Sequence, residues 1–350
     1  MRKIGLWAFL LCFLISCSNK GKKRIEYFDL SLEEIITQTQ DAKMPFCVIL
    51  IDSIEFTSQD YIHLLEIYNT LPKNKKILLD YANYNNVNNQ WITKLIQPQI
   101  YPVTCIFSSH GKLIDLIPGK SSESYAYIKD VLLSQSICEF HYNQLYGYNK
   151  FTFVEHINKA IEIIMGTNHH IDMTSQTDSL FASFKNIYLL YYKMRNQLDM
   201  EDRDGAKKTA KEFLSYQSAH NMIIFNKELL EVNNTLDSTY TIVSAPSIIS
   251  DTEGIFLPKC VVNNSYPLKI GVTNKGEKPL CISDIETSCS CVELKCDKQF
   301  IVAPHKTITI NFIFKPDITG TIQREIYIIS NSRETPIYTI SISADVKESI

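Results

Sequence analysis

The spacing of apolar positions changes twice along this chain. Up to about Ser134, short apolar runs alternate with helical stretches. From Phe153 to Val232 apolar residues recur every three or four positions, and beyond Thr241 they alternate singly with polar ones. In the first region an amphipathic helix is expected near Leu32–Thr39. Phe46 to Ile51 is a continuous β-rich apolar run, the mark of a strand buried on both faces. Phe56 to Asp60 opens a helical pattern carrying Tyr61, Leu64, Leu65 and Tyr68, with Thr57 or Ser58 suited to cap it. A strand at Lys76–Tyr81, a helix around Gln90–Ile96 and a strand at Val103–Phe107 follow. A turn through Ser108-Ser109-His110-Gly111 then leads to a strand at Lys112–Ile117 and a helix over Ser122–Ser134.

In the middle region Phe153, Ile157, Ala160, Ile161 and Ile164 mark one amphipathic helix, and a polar break runs from Gly166 to Ser179. Leu180–Leu198 and Ala206–Tyr216 read as an antiparallel helix pair, with a further helix over Ile223–Val232. Tyr188, Tyr191 and Tyr192 form a stripe whose spacing favours core packing over ligand binding. His169 and His170 are adjacent, so on a regular element they point in different directions and suit a solvated loop better than a metal site. The last region carries strands at Leu268–Thr273, Leu280–Thr287, Thr307–Phe314, Gln323–Ser330 and Ile337–Val346. In Thr307–Phe314, Ile308, Ile310, Phe312 and Phe314 share one face. That spacing of short strands and turns predicts a β-sandwich of roughly 100 residues.

Composition narrows the function classes. The chain has 350 residues, 45% hydrophobic and 21% charged, which is the balance of a folding chain. Its 35 basic and 38 acidic side chains leave a formal net charge of −3, so no nucleic-acid partner is expected. With 11 glycines and 12 prolines, collagen-like and low-complexity architectures are excluded. No paired carboxylates, Ser/His/Asp set or glycine-rich phosphate loop stands out, and no cofactor is expected.

Arg2 and Lys3 precede an apolar run from Ile4 to Ile15, too short to span a bilayer, which needs about 20 residues. It ends in Leu14-Ile15-Ser16-Cys17, which resembles the lipobox of bacterial lipoproteins. That resemblance implies removal of residues 1–16, acylation of Cys17 and a tether over 17–25. The lipid bilayer would be reached through the acyl chains. Ser18, rather than Asp, after the cysteine implies outer-membrane sorting, and the absence of an acidic run implies a periplasm-facing protein. Of the ten cysteines, Cys12 leaves with the signal and Cys17 carries lipid. Cys47, Cys105 and Cys138 lie in the N-terminal half, and five more crowd between Cys260 and Cys296.

The element order over residues 26–138 resembles the thioredoxin fold, with Pro102 where that family carries its cis-proline. The family's oxidoreductases place Cys-x-x-Cys at the start of the first long helix, where the positive helix end lowers the nucleophile's pKa. Thr57 and Asp60 stand there instead, so the dithiol reaction is not available, and this domain reads as a binding or spacing module. Cys47 and Cys105, on strands, are expected to face a core. Residues 139–240 read as a helical connector, with a faint likeness to tetratricopeptide hairpins but no repeat period. Residues 241–350 form the sandwich domain. Thr273-Asn274 with Gly276, Thr287-Ser288-Cys289-Ser290-Cys291, Ala303-Pro304, and Pro316 with Gly320 resemble domain-of-unknown-function family 1573, which looks Ig-like. The family more often has Gly where Ser290 stands.

The overall expectation is therefore a multi-domain α/β plus all-β protein. It would be a non-enzymatic, membrane-anchored lipoprotein that binds or scaffolds another envelope protein or peptide. The alternative uses Cys289 and Cys291. Residues i and i+2 of a strand share a face about 6.6 Å apart, near the upper limit for a disulfide, so a bridge between them would be strained and easily reduced. One reading pairs either cysteine with Cys296 in a structural bridge, the remaining thiol being buried; Cys260 and Cys281 could form another bridge, but the sequence leaves their partners undetermined. The other is thiol redox work, or a soft metal held with Cys296 and His305 as further ligands.

Overall fold

The computed structural model describes residues 33, 34, 37, 45–50, 81–82, 90–98, 102–137, 144–145, 147–216 and 218–348. The signal segment, Cys17, the tether, Thr57, Asp60, Tyr101 and Cys138 lie outside the described residues. The described residues divide at residue 154 into two compact units, with 94–96 grouped with the second.

In the first unit, β1 (Phe46–Leu50), β2 (Tyr81–Ala82), β3 (Val103–Phe107) and β4 (Leu113–Pro118) form one sheet in the order β2-β1-β3-β4. β1 and β2 are parallel, while β3 runs against both its neighbours. Every residue of β3 is buried, as its unbroken apolar character requires. Across the β1–β3 ladder Val48 faces Cys105 and Cys47 faces Ile106, so the two thiols project from opposite sides of the sheet. Both are buried, and burial pushes both thiols up, Cys105 further under the influence of Cys47 and Asp115. α1 (Gln90–Ile96) begins in this unit, with Trp91 against Phe107 of β3, and α2 (Ser122–Ser134) packs on β4; the hydroxyl of Ser121 caps α2 by accepting from the Ser124 amide at 3.1 Å. The buried carboxylate of Asp115 on β4 is matched by Lys150 at 2.6 Å. A short hairpin, β5 (Gln144–Leu145) and β6 (Tyr148–Asn149), precedes α3 (Lys150–Asn168), which continues into the second unit.

The second unit holds α4 (Thr174–Ser183), α5 (Ile187–Asp199), α6 (Arg203–Ser215), α7 (Ala219–Ile224) and α8 (Asn226–Leu236). The polar break expected over Gly166–Ser179 shrinks to five residues, closed by the Ile171 amide on the Gly166 carbonyl at 2.9 Å. α4 occupies much of that stretch because it buries a narrow stripe, Thr177, Leu180 and Phe181, too sparse to register as a helical period. The single helix expected from Leu180 to Leu198 is divided at Phe184–Asn186, where Asn186 caps α5 by accepting from the Tyr188 amide. Asp202 caps α6 through the Gly205 amide. Tyr188, Tyr191 and Tyr192 are buried; Tyr188 stacks on Tyr191, both meet Tyr192 edge-on, and Tyr188 packs at a tilt on Phe225. Beside them the ammonium of Lys94 meets Glu228 at 2.6 Å with both side chains buried.

The same unit contains nine strands in two sheets. These are β7 (Ile248–Ser250), β8 (Gly254–Val261), β9 (Tyr266–Asn274), β10 (Leu280–Thr287), β11 (Val292–Leu294), β12 (Phe300–Val302), β13 (Thr307–Phe314), β14 (Gly320–Ser330) and β15 (Ile337–Lys347). One sheet runs β12-β10-β14-β15-β8 and the other β11-β13-β9-β7. Ile310, Phe312 and Phe314 of β13 and Leu268, Ile270 and Val272 of β9 meet Ile322, Ile326 and Ile328 of β14 and Ile340, Ile342 and Ala344 of β15 in one core. The period-2 pattern thus buries one face of each sheet. Asn274, fully buried, closes the turn after β9. Its amide donates to the carbonyls of Lys278 and Val302, and its side-chain oxygen accepts from the Gly276 amide. Helices and sandwich are joined by Asn226 donating to the Ser332 carbonyl at 2.9 Å and by Lys278 meeting Asp237 at 2.6 Å. No helix among the described residues is long and apolar enough to cross a membrane.

Candidate functional site

The segment between β10 and β11 departs from the strand geometry assumed for Cys289 and Cys291. β10 ends at Thr287, and residues 288–291 turn before β11 begins at Val292. The turn is held from three sides. The Thr287 hydroxyl donates to the Cys289 carbonyl at 3.0 Å. Ser288 exchanges two hydrogen bonds with Glu325 of β14, its amide to the Glu325 carbonyl and its hydroxyl accepting the Glu325 amide. The Lys315 amide donates to the Cys291 carbonyl at 2.7 Å.

Curling the chain brings the Cα atoms of Cys289 and Cys291 to 5.2 Å, inside the ordinary disulfide range, and the two are bonded to each other. Ser290 keeps a negative φ, so the position does not demand the glycine found more often in the resembling family. The bridge sits at the end of the sandwich core. Cys291 is 6% exposed, Cys289 half-buried and Ser290 exposed. Arg324 of β14 lies between Ile322 and Ile326 in a register position whose neighbours point into the core. Its Nε donates to Cys291 Sγ at 3.3 Å, and its Nη1 to the Gln323 carbonyl at 2.8 Å. A cation against this sulfur favours its thiolate when the bridge opens. Arg324 escaped the motif reading, although a lone arginine on the apolar phase of an alternating strand was a visible signal.

The remaining candidates are dispersed. Cys296, a free thiol, follows β11 and packs against the rim of the core. It is not bonded to either member of the Cys-x-Cys pair, because those two are satisfied by each other. His305 lies in the turn before β13, where its amide donates to the Asn274 carbonyl and its Nε2 meets Glu277 at 3.1 Å. Among the described residues, no group of three or more His, Cys, Asp or Glu converges as a metal cage. Cys260 and Cys281 are free thiols. They sit on β8 and β10, separated by β14 and β15 and at opposite ends of the sheet, Cys260 level with Gly320 and Cys281 with Asn331, so they cannot bridge. His170 meets Asp199 at 3.3 Å on the surface. Pro102 is buried immediately before β3, its carbonyl accepting from the Gly119 amide at 2.8 Å.

The outer face of the five-stranded sheet has a different character. Phe256 stands between Ile255 and Leu257, which pack on the core, and is 65% exposed on edge strand β8. Ile301 stands between Phe300 and Val302 on the other edge strand, β12, and is 75% exposed. Phe256 pairs with Ser343, and Ser343 with Gln323, so small and polar side chains lie beside the phenylalanine. Pro258 and Lys259 on β8 blunt its open edge against further strand pairing.

Residues 258–346 match the model of a family described as "Protein of unknown function (DUF1573)". No curated protein matches the sequence. Among solved structures, a protein of unknown function from Porphyromonas gingivalis W83 is similar at 15% identity, over 31% of this chain and 50% of that one, with a TM-score of 0.27. The chain thus spans about half the length of that protein. PapD-like domain 7 of human CEP192 is similar at 8% identity, over 31% of this chain and 89% of that one, with a TM-score of 0.27. SSP-19 of Caenorhabditis elegans, an MSP-domain-like protein, is similar at 12% identity, over 27% of this chain and 97% of that one, with a TM-score of 0.23.

Proposed function

We propose that the protein is a non-enzymatic lipoprotein, held at the periplasmic side of an outer membrane by acylated Cys17, whose sandwich is an Ig-like module that binds another envelope protein or peptide. The observation that carries this reading is Phe256, 65% exposed on the outer face of edge strand β8 beside Ser343 and Gln323. Large apolar side chains left in water beside small polar ones are what a partner surface buries. For the first unit, the sheet order β2-β1-β3-β4, with β3 against both neighbours and Pro102 before it, supports a thioredoxin-like frame. Thr57 and Asp60, where the Cys-x-x-Cys would stand, make it a spacer or binding module.

Two experiments on the full chain test this reading. A radioactive fatty acid should label the protein, and Cys17→Ser should abolish the label. A photo-crosslinking residue at position 343, beside Phe256, should give a discrete protein adduct in the envelope that is lost in Phe256→Ser. An absent adduct, or one indifferent to that substitution, defeats the binding reading.

A further inference from the structure

We infer that the Cys289–Cys291 bridge is an exchangeable disulfide, opened by a small-molecule thiol attacking Cys289, with Arg324 holding the sulfur of Cys291 as the leaving thiolate. Three observations place the roles. The bridge joins residues two apart in a turn, so opening it releases no other part of the fold. The two sulfurs are unequal: Cys289 is half-buried next to the exposed Ser290, whereas Cys291 is 6% exposed. The one guanidinium on the core-facing phase of β14 donates through Nε to Cys291 Sγ at 3.3 Å. An incoming nucleophile therefore reaches Cys289 from solvent, and the negative charge develops on the sulfur that already has a cation beside it. A leaving thiol with a lowered pKa departs faster.

The electrons balance as follows. A thiolate RS⁻ attacks Cys289 Sγ; the RS–Sγ bond forms, the Cys289–Cys291 bond breaks, and the electron pair leaves on Cys291. A second RS⁻ attacks the R sulfur of the mixed disulfide, forming RSSR and expelling the Cys289 thiolate. Two external thiols are oxidised, the protein bridge is reduced by two electrons, and the two thiol protons are available to Cys289 and Cys291. In the reverse direction the Cys291 thiolate closes the ring on Cys289. This chemistry is independent of any partner on the outer sheet face, since neither Phe256 nor Ile301 takes part.

The test uses the full chain, air-oxidised, with reduced glutathione as the probe and acid quenching, alkylation and peptide mass spectrometry as the readout. The bridge should open in a time-dependent way, about tenfold more slowly in Arg324→Met, with most of the rate restored in Arg324→Lys. Near-ultraviolet circular dichroism of the oxidised variants establishes that they are folded. Separately, quenching the wild-type reaction at early times should trap the glutathione mixed disulfide several-fold more at Cys289 than at Cys291. Free thiols at both positions before reduction would overturn the inference. So would equal opening rates in the wild type and a folded Arg324→Met, or equal trapping at the two sulfurs.

Discussion

Gly276 lies so close to the Ala245 carbonyl oxygen that a Cβ on the glycine would stand 2.1 Å from it, with the Pro246 Cα at 2.8 Å. The turn after β9 is pressed against the segment that leads from the helices into β7. Asn274 holds it there through Gly276, Lys278 and Val302. Both obstructing atoms are backbone and cannot rotate away. Gly276→Ala is expected to destabilise the full chain by about 2–3 kcal/mol in denaturant titration, by forcing the backbone apart. Unchanged stability would mean that the turn and the entry to β7 separate freely.

The buried pair of Lys94 and Glu228 predicts a strongly non-additive response. Burial pushes the Lys94 ammonium down, while Glu228 beside it pulls the other way. Lys94→Met leaves a carboxylate without its cation and should cost about 3–5 kcal/mol. Adding Glu228→Leu to it should recover much of that loss. A double-mutant cycle by chemical denaturation checks this, and additive costs would count against the pair.

Asp237 ends α8 and is pulled down to about 2, first by the hydrogen bond from Lys278, then by the Thr239 hydroxyl and amide. Its folded pKa lies below the ordinary carboxyl value of about 3.9, so its contribution is complete above that value and is lost as the pH falls through about 2. The stability gap between wild type and Asp237→Asn should therefore be constant above about pH 5 and should shrink below about pH 4. A gap that widens on acidification would contradict the assignment.

Cys47 and Cys105 should resist iodoacetamide in the native chain and react only after denaturation, since both are buried and burial keeps their thiols protonated. They should never appear as a bridged pair, because they leave the sheet on opposite faces. Peptide mapping by mass spectrometry distinguishes these states.

Much of the fold was legible where local pattern and burial coincide. The alternation of Ile310, Phe312 and Phe314 placed β13, and the β-rich run from Phe46 placed β1, because each side chain's environment follows from its position on one strand. α4 was not legible, since only Thr177, Leu180 and Phe181 are buried in it and the helices around it supply the rest of its support. Thr273-Asn274 with Gly276 was recognisable as a motif, but its reason is tertiary: the obstruction to a Cβ comes from Ala245 and Pro246, some thirty residues earlier in the chain.

The Cys-x-Cys site divides in the same way. Two cysteines separated by one residue determined, from the sequence alone, that their sulfurs would be neighbours, since two peptide units cannot hold them far apart. Whether they would bond to each other was decided by the turn after Thr287, which Glu325 of β14 and Lys315, just past β13, hold and which draws the Cα atoms to 5.2 Å. Which sulfur carries charge when the bridge opens was decided by Arg324, thirty-three residues further on and brought alongside by the packing of the sandwich. Local spacing limits how far covalently close groups can separate; only packing of distant strands selects the partner, the exposure and the charge each one meets.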